Sequence, residues 1–159
     1  MRLAIALSRQ NVLRNSGGPF GAAVFRTGGE NPIAVGVNEV ERMGNAVLHA
    51  EVVALMLAQA RLGSYTLRQE DGPGFELFTS CSPCAMCLGA ALWSGVTRIV
   101  CAATREDAME LGFDEGPVFT ASYLYLEERG VRIDLDVLRN DARDVFELYR
   151  RRGGLMYNG

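Results

Sequence analysis

The sequence predicts an α/β fold, a three-layer α-β-α sandwich around a five-stranded mixed sheet. Segments typical of strands alternate with segments typical of helices, which favours strands joined by helical crossovers. A turn-rich loop, Thr27-Gly28-Gly29-Glu30-Asn31, separates the first two strand patterns and suits a β-hairpin, so part of the sheet should be antiparallel. The length of 159 residues fits one domain with a single core.

The first part of the chain is predicted to form a helix, a hairpin and a second helix. Residues 1–15 have a short amphipathic pattern that ends at Gly17-Gly18-Pro19. Residues 20–26 and 32–40 form the two strands of the hairpin. Residues 48–62 are rich in Ala, Leu and Met, and Gly63 closes this helix.

The second part continues with alternating strands and helices and ends in a short tail. Three strands are predicted, at residues 75–79, 98–103 and 131–135. Three helices are predicted, from about residue 83 to 94, at 104–111 and at 136–151. Residues 112–117 are predicted to be a loop and residues 153–159 a tail. With no repeat or linker in the sequence, residues 1–159 are expected to form one domain.

The charge balance favours a small-molecule partner over nucleic acid. The net charge is −3 and the sequence pI is about 5.2, whereas a protein that grips phosphates usually has a basic face. The basic run Arg150-Arg151-Arg152 is explained by a helix C-terminus, where cations are favoured.

The chain is expected to work in the cytoplasm and away from membranes. Its apolar stretches are too short to span a bilayer, and Ser8, Arg9 and Gln10 interrupt the N-terminal one before a signal peptide could form. Thiols stay reduced in the cytoplasm, so close cysteine pairs there more often bind metal or take part in chemistry than form disulfides.

Two of the four cysteines have the spacing of metal ligands. Cys84 and Cys87 lie three residues apart on a predicted helix, so their side chains share one face. Ser82 is the predicted N-cap and Pro83 the first helical residue, and the positive end of the helix favours thiolates. Two thiolates and one imidazole make a three-ligand zinc site that leaves the fourth position for water.

His49 is the one histidine in the chain and therefore the one imidazole available to this site. Residues two apart in a helix face different ways, so His49 and Glu51 can approach one metal together only at the start of a helix. In that arrangement Glu51 is a proton carrier rather than a ligand. It would take a proton from water, protonate the substrate and later protonate a departing amine.

Each fragment alone has a simpler interpretation. Cys-x-x-Cys also occurs in structural zinc sites and redox motifs, and a single histidine is often a core residue. His-x-Glu followed by Pro-Cys-x-x-Cys, each opening a helix, is much more restrictive and is the signature of zinc deaminases. A zinc-stabilised binding module is the alternative outside enzymes, but such a site usually has four protein ligands.

Several further fragments, together with these, resemble the cytidine deaminase superfamily over nearly the whole chain. Within it the sequence looks most similar to bacterial guanine deaminases and their nucleoside deaminase relatives. The fragments that carry this resemblance are Gly17-Gly18-Pro19-Phe20-Gly21-Ala22, Asn38, Thr79-Ser80-Cys81, Leu88-Gly89-Ala90-Ala91-Leu92-Trp93 and Gly112-Phe113-Asp114-Glu115.

The resemblance implies a role for each matching residue. His49, Cys84 and Cys87 would hold one Zn²⁺ and Glu51 would move protons. Glu115 would contact the substrate and assist proton transfer at the leaving amine, although better-known relatives carry Asp there. The implied substrate-binding residues are Asn38 at the base edge, Phe20 and Trp93 at the ring, Ala50, Asp114 and Tyr157.

The resemblance also implies a domain-swapped homodimer, in which residues 153–159 cap the partner's site with Tyr157. The expected reaction is hydrolysis of guanine to xanthine and ammonia. Aminotriazines, cytosine and nucleosides are alternative substrates with the same chemistry. A tRNA adenosine is disfavoured, because the chain is acidic.

Overall fold

A computed structural model describes residues 1–158 and has the predicted three-layer architecture. One mixed sheet has the strand order β2-β1-β3-β4-β5. The strands are β1 Gly21–Arg26, β2 Pro32–Val37, β3 Phe75–Cys81, β4 Arg98–Ala103 and β5 Arg132–Asp134. The helices are α1 Arg2–Leu13, α2 Val40–Met43, α3 Ala50–Leu62, α4 Ala85–Ser94, α5 Arg105–Leu111, α6 Thr120–Glu128 and α7 Arg139–Arg151.

The sheet combines a hairpin with parallel crossovers. Strand β1 is antiparallel to both β2 and β3, whereas β3, β4 and β5 are parallel to one another. The carboxyl ends of β3 and β4 meet at one edge, where Cys81 lies opposite Ala103. In open α/β sheets this edge is where ligands usually bind.

Helices cover both faces of the sheet, so two apolar clusters make up the core. On one face α3, α4 and α6 pack against the sheet, and on the other α1, α5 and α7 do so. Side chains of β4 alternate between the two clusters, with Ile99 and Cys101 in the first and Ala102 in the second.

Gly36 on β2 allows the start of α3 to lie directly on the sheet. A Cβ atom at this position would meet the Ala50 carbonyl oxygen at 2.2 Å and the Ala54 amide nitrogen at 2.6 Å. Both are backbone atoms that cannot move aside. The absence of a side chain at Gly36 therefore allows the first turn of α3 to pack against the hairpin. This turn and its N-cap carry Glu51 and His49.

Some predicted boundaries are wrong. The second strand ends at Val37, so Asn38 follows the strand instead of lying on it. Ser82 is not the N-cap of α4, because its hydroxyl and amide both bond to the Ala103 carbonyl, and Cys84 takes the N-cap position. Helices α2 and α6 were not predicted from the sequence.

No helix in the part of the chain described by the structure is both long and apolar enough to cross a bilayer. The predicted tail, 153–159, follows α7 as expected. Its last residue, Gly159, lies outside the described residues.

Asp107 joins α5 to α7 and is expected to make stability depend on pH. Burial raises the pKa of its carboxyl, but hydrogen bonds from Arg139 and from the Thr104 amide lower it by more, so the net pKa is below the usual value. Stability from this group is therefore present above the unfolded pKa of about 4 and is lost as the pH falls through the folded pKa. We expect Asp107→Asn to cost about 2 kcal/mol at pH 7.

Urea unfolding at a series of pH values measures this cost. The difference from the wild type should narrow as the pH falls below about 4, because the carboxyl then takes up a proton more readily in the unfolded chain, where its pKa is higher. Asp144→Asn makes the same change at an exposed position of α7 and is the matched control. A difference that stays constant down to acid pH would contradict the role of the Asp107 charge.

Candidate active site

The three predicted metal ligands lie at the starts of two helices. His49 is the N-cap residue of α3 and Cys84 the N-cap residue of α4, while Cys87 lies one turn into α4. Both helix N-termini therefore face the same space, and their exposed amides favour negative charge there. The helix start predicted for the His49 and Glu51 pair is confirmed.

The three side chains have the separations of a tetrahedral metal site. His49 Nδ1 lies 3.5 Å from Cys84 Sγ and 3.7 Å from Cys87 Sγ. Tetrahedral zinc with Zn–N near 2.0 Å and Zn–S near 2.3 Å requires an N···S separation of about 3.5 Å. Within residues 1–158 this is the one group of three His, Cys, Asp or Glu side chains that could hold a metal ion. The donor set therefore fits zinc with one position left for water.

The thiols of Cys84 and Cys87 differ in pKa because a hydrogen bond joins them. The hydrogen bond from Cys87 lowers the pKa of Cys84 to about 4, and the same bond raises the pKa of Cys87 well above its usual value. Cys84 is thus a thiolate at neutral pH, the form that binds metal.

Glu51 is the buried acid of the site. It lies in the first turn of α3, and its Oε1 accepts a hydrogen bond of 3.0 Å from the Thr79 hydroxyl on β3. Burial raises the pKa of the carboxyl, and the negative charge of Cys84 raises it further. A raised pKa lets a carboxyl hold a proton as well as release one, which suits acid–base catalysis.

Glu115 provides a second buried acid. It follows α5 in the loop that leads to α6, and its carbonyl accepts the Ala85 amide of α4 at 3.0 Å. Burial raises the pKa of its carboxyl to about 8, with further contributions from the charges of Cys84 and Glu51. The two acids line one cavity together with His49 and Cys84.

The tail closes this cavity in the same chain. Tyr157 lines the cavity, and its hydroxyl accepts a hydrogen bond of 2.8 Å from Asn38 Nδ2. Phe20 also lines the cavity, and Asn158 Nδ2 donates to the Asp114 carbonyl at 2.8 Å. The volume left is about 10 Å³, room for about one water molecule.

Three predicted substrate-binding residues are not among those that line the cavity. Trp93 on α4 is 79% exposed and is not among the residues that line the cavity, so its contact with the substrate stays a prediction. Asp114 turns its carboxylate to the Gly116 amide at 2.8 Å and is exposed. Ala50 is fully buried and lies between His49 and Glu51 in the sequence.

Sequence reasoning missed Thr79 and Asn158 as parts of the site. Thr79 holds Glu51, and Asn158 holds the tail. Phe113, whose ring lies 5.0 Å from that of Phe20 and 5.1 Å from that of Tyr157, was also missed. Thr79 belongs to the strand pattern of β3, but the sequence alone does not reveal which side chain its hydroxyl faces.

Comparisons with known proteins agree with this geometry. The family model described as "Cytidine and deoxycytidylate deaminase zinc-binding region" matches residues 1–103. Guanine deaminase of Bacillus subtilis is 37% identical over 131 residues, which are 82% of this chain and 80% of the relative. The solved guanine deaminase from Nitrosomonas europaea is 40% identical, with a TM-score of 0.90 over 94% of this chain and 82% of that one.

Two variants of a solved relative contain 8-azaguanine, and each is 40% identical to this chain. Their TM-scores are 0.90 and 0.89, covering 94% and 93% of this chain and 83% and 81% of theirs. One variant replaces an asparagine and the other a glutamate 77 residues further on, which is the separation of Asn38 and Glu115 here.

The matched region spans well over half of the chain and includes all three candidate ligands and Glu51. The predicted resemblance and fold class are therefore confirmed, and the chain is a hydrolytic deaminase. It belongs to the cytidine and deoxycytidylate deaminase zinc-binding family.

Proposed function

We propose that this protein is a zinc-dependent guanine deaminase that converts guanine and water to xanthine and ammonia. The observation that carries the proposal is the three-ligand cluster beside two buried acids, in a chain similar to guanine deaminases over most of its length. A closed structural zinc site would need a fourth protein ligand, and residues 1–158 bring only three together.

His49, Cys84 and Cys87 would hold one zinc ion, whose Lewis acidity makes water a nucleophile near neutral pH. Glu51 accepts a proton from the attacking water and passes it to the ring nitrogen beside the carbon that bears the amine. The water oxygen forms the new C–O bond and the C–N bond then breaks. The two hydrogens of water end on the ring nitrogen and on the departing ammonia.

Asn38 and Phe20 form the proposed recognition surface for the base. Asn38 is fully buried, and its Oδ1 accepts the amides of Gly18 at 3.4 Å and Val40 at 3.3 Å, which fixes the orientation of the side-chain amide. Its Nδ2 donates to Tyr157 in the closed form and would be available to a base edge once that residue moves. Phe20 offers an apolar ring at the cavity wall.

Glu115 is the proposed acid at the leaving amine. The asparagine and glutamate changed in the relatives that contain 8-azaguanine have the same separation as Asn38 and Glu115, which supports this assignment. The relative has glutamate there, and its asparagine variant keeps that glutamate while it contains 8-azaguanine, so the longer side chain at this position is compatible with a guanine-like ligand.

We expect Glu115→Gln to lower kcat on guanine about 100-fold and to leave the zinc content unchanged, because the amide keeps the shape but cannot transfer a proton. Steady-state kinetics and metal analysis measure both quantities. Asp114→Asn makes the same change one residue away, on a side chain that points to the Gly116 amide. Unchanged guanine kinetics in Glu115→Gln would return Glu115 to the role of an ordinary loop residue.

Residues 153–159 are the proposed lid of the active site. Because the closed tail leaves only about 10 Å³, a base can enter only when Tyr157 moves out. The tail reaches the site of its own chain, so a lid within one chain is geometrically possible. A tail exchanged between the two subunits of a dimer stays a prediction.

A homodimer is also proposed. The outer sides of α4 and α6 enclose an apolar groove of about 280 Å³ lined by Leu88, Leu92 and Tyr125, with Trp93 and Phe119 exposed on the same two elements or next to them. Exposed apolar area of this kind is typical of protein interfaces. Sedimentation equilibrium measures the state of association.

An ammonia-release screen tests the proposed function. Purified protein is assayed with guanine, cytosine, adenine, their nucleosides and aminotriazines. Guanine should give the highest kcat/KM. Preference for a nucleoside or an aminotriazine would overturn the substrate assignment, and release from none of these rings would overturn the activity.

A further inference from the structure

The path of the C-terminal tail is set by one side chain of α7. The hydroxyl of Tyr149 donates a hydrogen bond of 2.7 Å to the carbonyl of Leu155, in the middle of the tail. Tyr149 itself is almost fully buried, so its position is fixed by the core. The bond therefore holds the tail to α7 at Leu155, two residues before Tyr157.

The ring of Tyr149 also excludes every side chain but hydrogen at the residue before Leu155. A Cβ atom at Gly154 would lie 2.2 to 2.4 Å from three atoms of the ring. The ring stacks on Phe113 at 6.1 Å, and Phe113 in turn contacts Tyr157 at 5.1 Å. Tyr149 thus contacts the tail at two successive residues, Gly154 and Leu155.

A third contact connects Tyr149 to the segment that carries Asn38. The Tyr149 hydroxyl lies 3.3 Å from a carboxylate oxygen of Glu41 on α2. The first residue of α2, Val40, donates its amide to the Asn38 side chain. The hydroxyl therefore lies where the tail, α7 and the Asn38 segment meet.

We infer that Tyr149 is a positioning residue that latches the tail shut and so controls both substrate entry and closure over the bound base. The inference deepens the proposed function and rests on it. Tyr149 is not among the residues that line the cavity, and it acts through Leu155 and Tyr157.

This role has a distinctive kinetic consequence. The latch stabilises the closed tail in the free enzyme, where closure blocks entry, and in the loaded enzyme, where closure shields the reaction from water. A weaker latch should therefore lower KM, because more free enzyme is open, and lower kcat, because less loaded enzyme is closed. A residue that merely supports the fold would lower kcat/KM instead.

The test uses Tyr149→Phe, which removes the hydroxyl and keeps the ring. Loss of one hydrogen bond to a carbonyl corresponds to about a tenfold shift towards the open tail. Chymotrypsin cleavage after Leu155, Met156 or Tyr157, followed by intact mass, should accelerate about tenfold, because cleavage tracks the open population. On guanine, kcat and KM should fall together, and zinc content should not change.

Two further variants complete the experiment. Gly154→Ala keeps the hydroxyl but forces the tail off the ring, and it should reproduce both effects. Tyr65→Phe removes the hydroxyl of a tyrosine that is 91% exposed and should change neither. Unchanged tail cleavage in Tyr149→Phe, or a lower kcat at constant KM, would overturn the latch. Faster cleavage without a kinetic change would overturn its part in catalysis.

Cleavage of the tail is measured without substrate, so it reports the open fraction of the tail even if guanine is not turned over. An inactive wild type would count against the proposed function. An active wild type with variants that behave like it would count against the latch.

Discussion

Replacing Glu51 with Gln is expected to reduce ammonia release about 1,000-fold while the protein keeps about one zinc per chain. Glutamine fills the same space, and its amide oxygen can still accept the hydrogen bond from Thr79. It cannot carry a proton from water to the ring or to the departing amine. Metal analysis and a single-turnover ammonia assay on the same preparation measure the two quantities.

The zinc content decides how a loss of activity is explained. A Glu51→Gln protein that has lost its zinc would make the residue a structural support of the cluster, and full turnover would remove it from the mechanism. Glu128→Gln makes the same change on an exposed side chain at the end of α6 and should match the wild type.

The sequence predicts the placement of the three candidate ligands and of Glu51 because each depends on a short segment. Backbone geometry alone restricts where two side chains point when they lie at a helix start or three residues apart in one turn. His49 and Cys84 lie at N-cap positions and Cys87 one turn further on, so local structure nearly determines where they point. The sequence does not supply the distance between the two helices, which depends on packing such as that at Gly36.

Residues at the rim are harder to predict, because their direction depends on the elements around them. Trp93 lies six residues after Cys87 on α4, a rotation of about 240° around the helix axis, and this places it on the outer side. Asp114 and Glu115 are neighbours in one loop, yet Glu115 is buried and Asp114 exposed. The spacing along α4 explains why Trp93 faces outward. Only the packing of the loop shows why Glu115 is buried and Asp114 is exposed.

Helix α6 escapes sequence analysis because its apolar residues do not form one buried stripe. Leu126 is its one buried residue, whereas Leu124 and Tyr125 are exposed. A pattern of this kind has no clear helical period. It is explained if the exposed side chains meet another subunit, since an interface buries residues that the isolated chain leaves in water. The unpredicted helix α6 and the exposed position of Trp93 thus have one explanation, the proposed dimer face.

Cys87→Ala is expected to remove zinc and to abolish ammonia release. With only His49 and Cys84 left, the site has two of the three ligands that zinc enzymes use. The metal stabilises the native state in proportion to its affinity, so the midpoint of thermal unfolding should fall as well. Metal analysis, the ammonia assay and calorimetry on freshly purified protein measure these three effects.

Cys101→Ala separates the loss of a ligand from the loss of a buried sulfur. Cys101 on β4 is also fully buried, and the substitution leaves the same small cavity in the core. It should lower the unfolding midpoint slightly and keep zinc and turnover. A strong chelator should then lower the midpoint of the wild type and of Cys101→Ala but not that of Cys87→Ala, because a protein without the ion has none to lose. If the chelator destabilises all three equally, the stabilising metal is not held by Cys87.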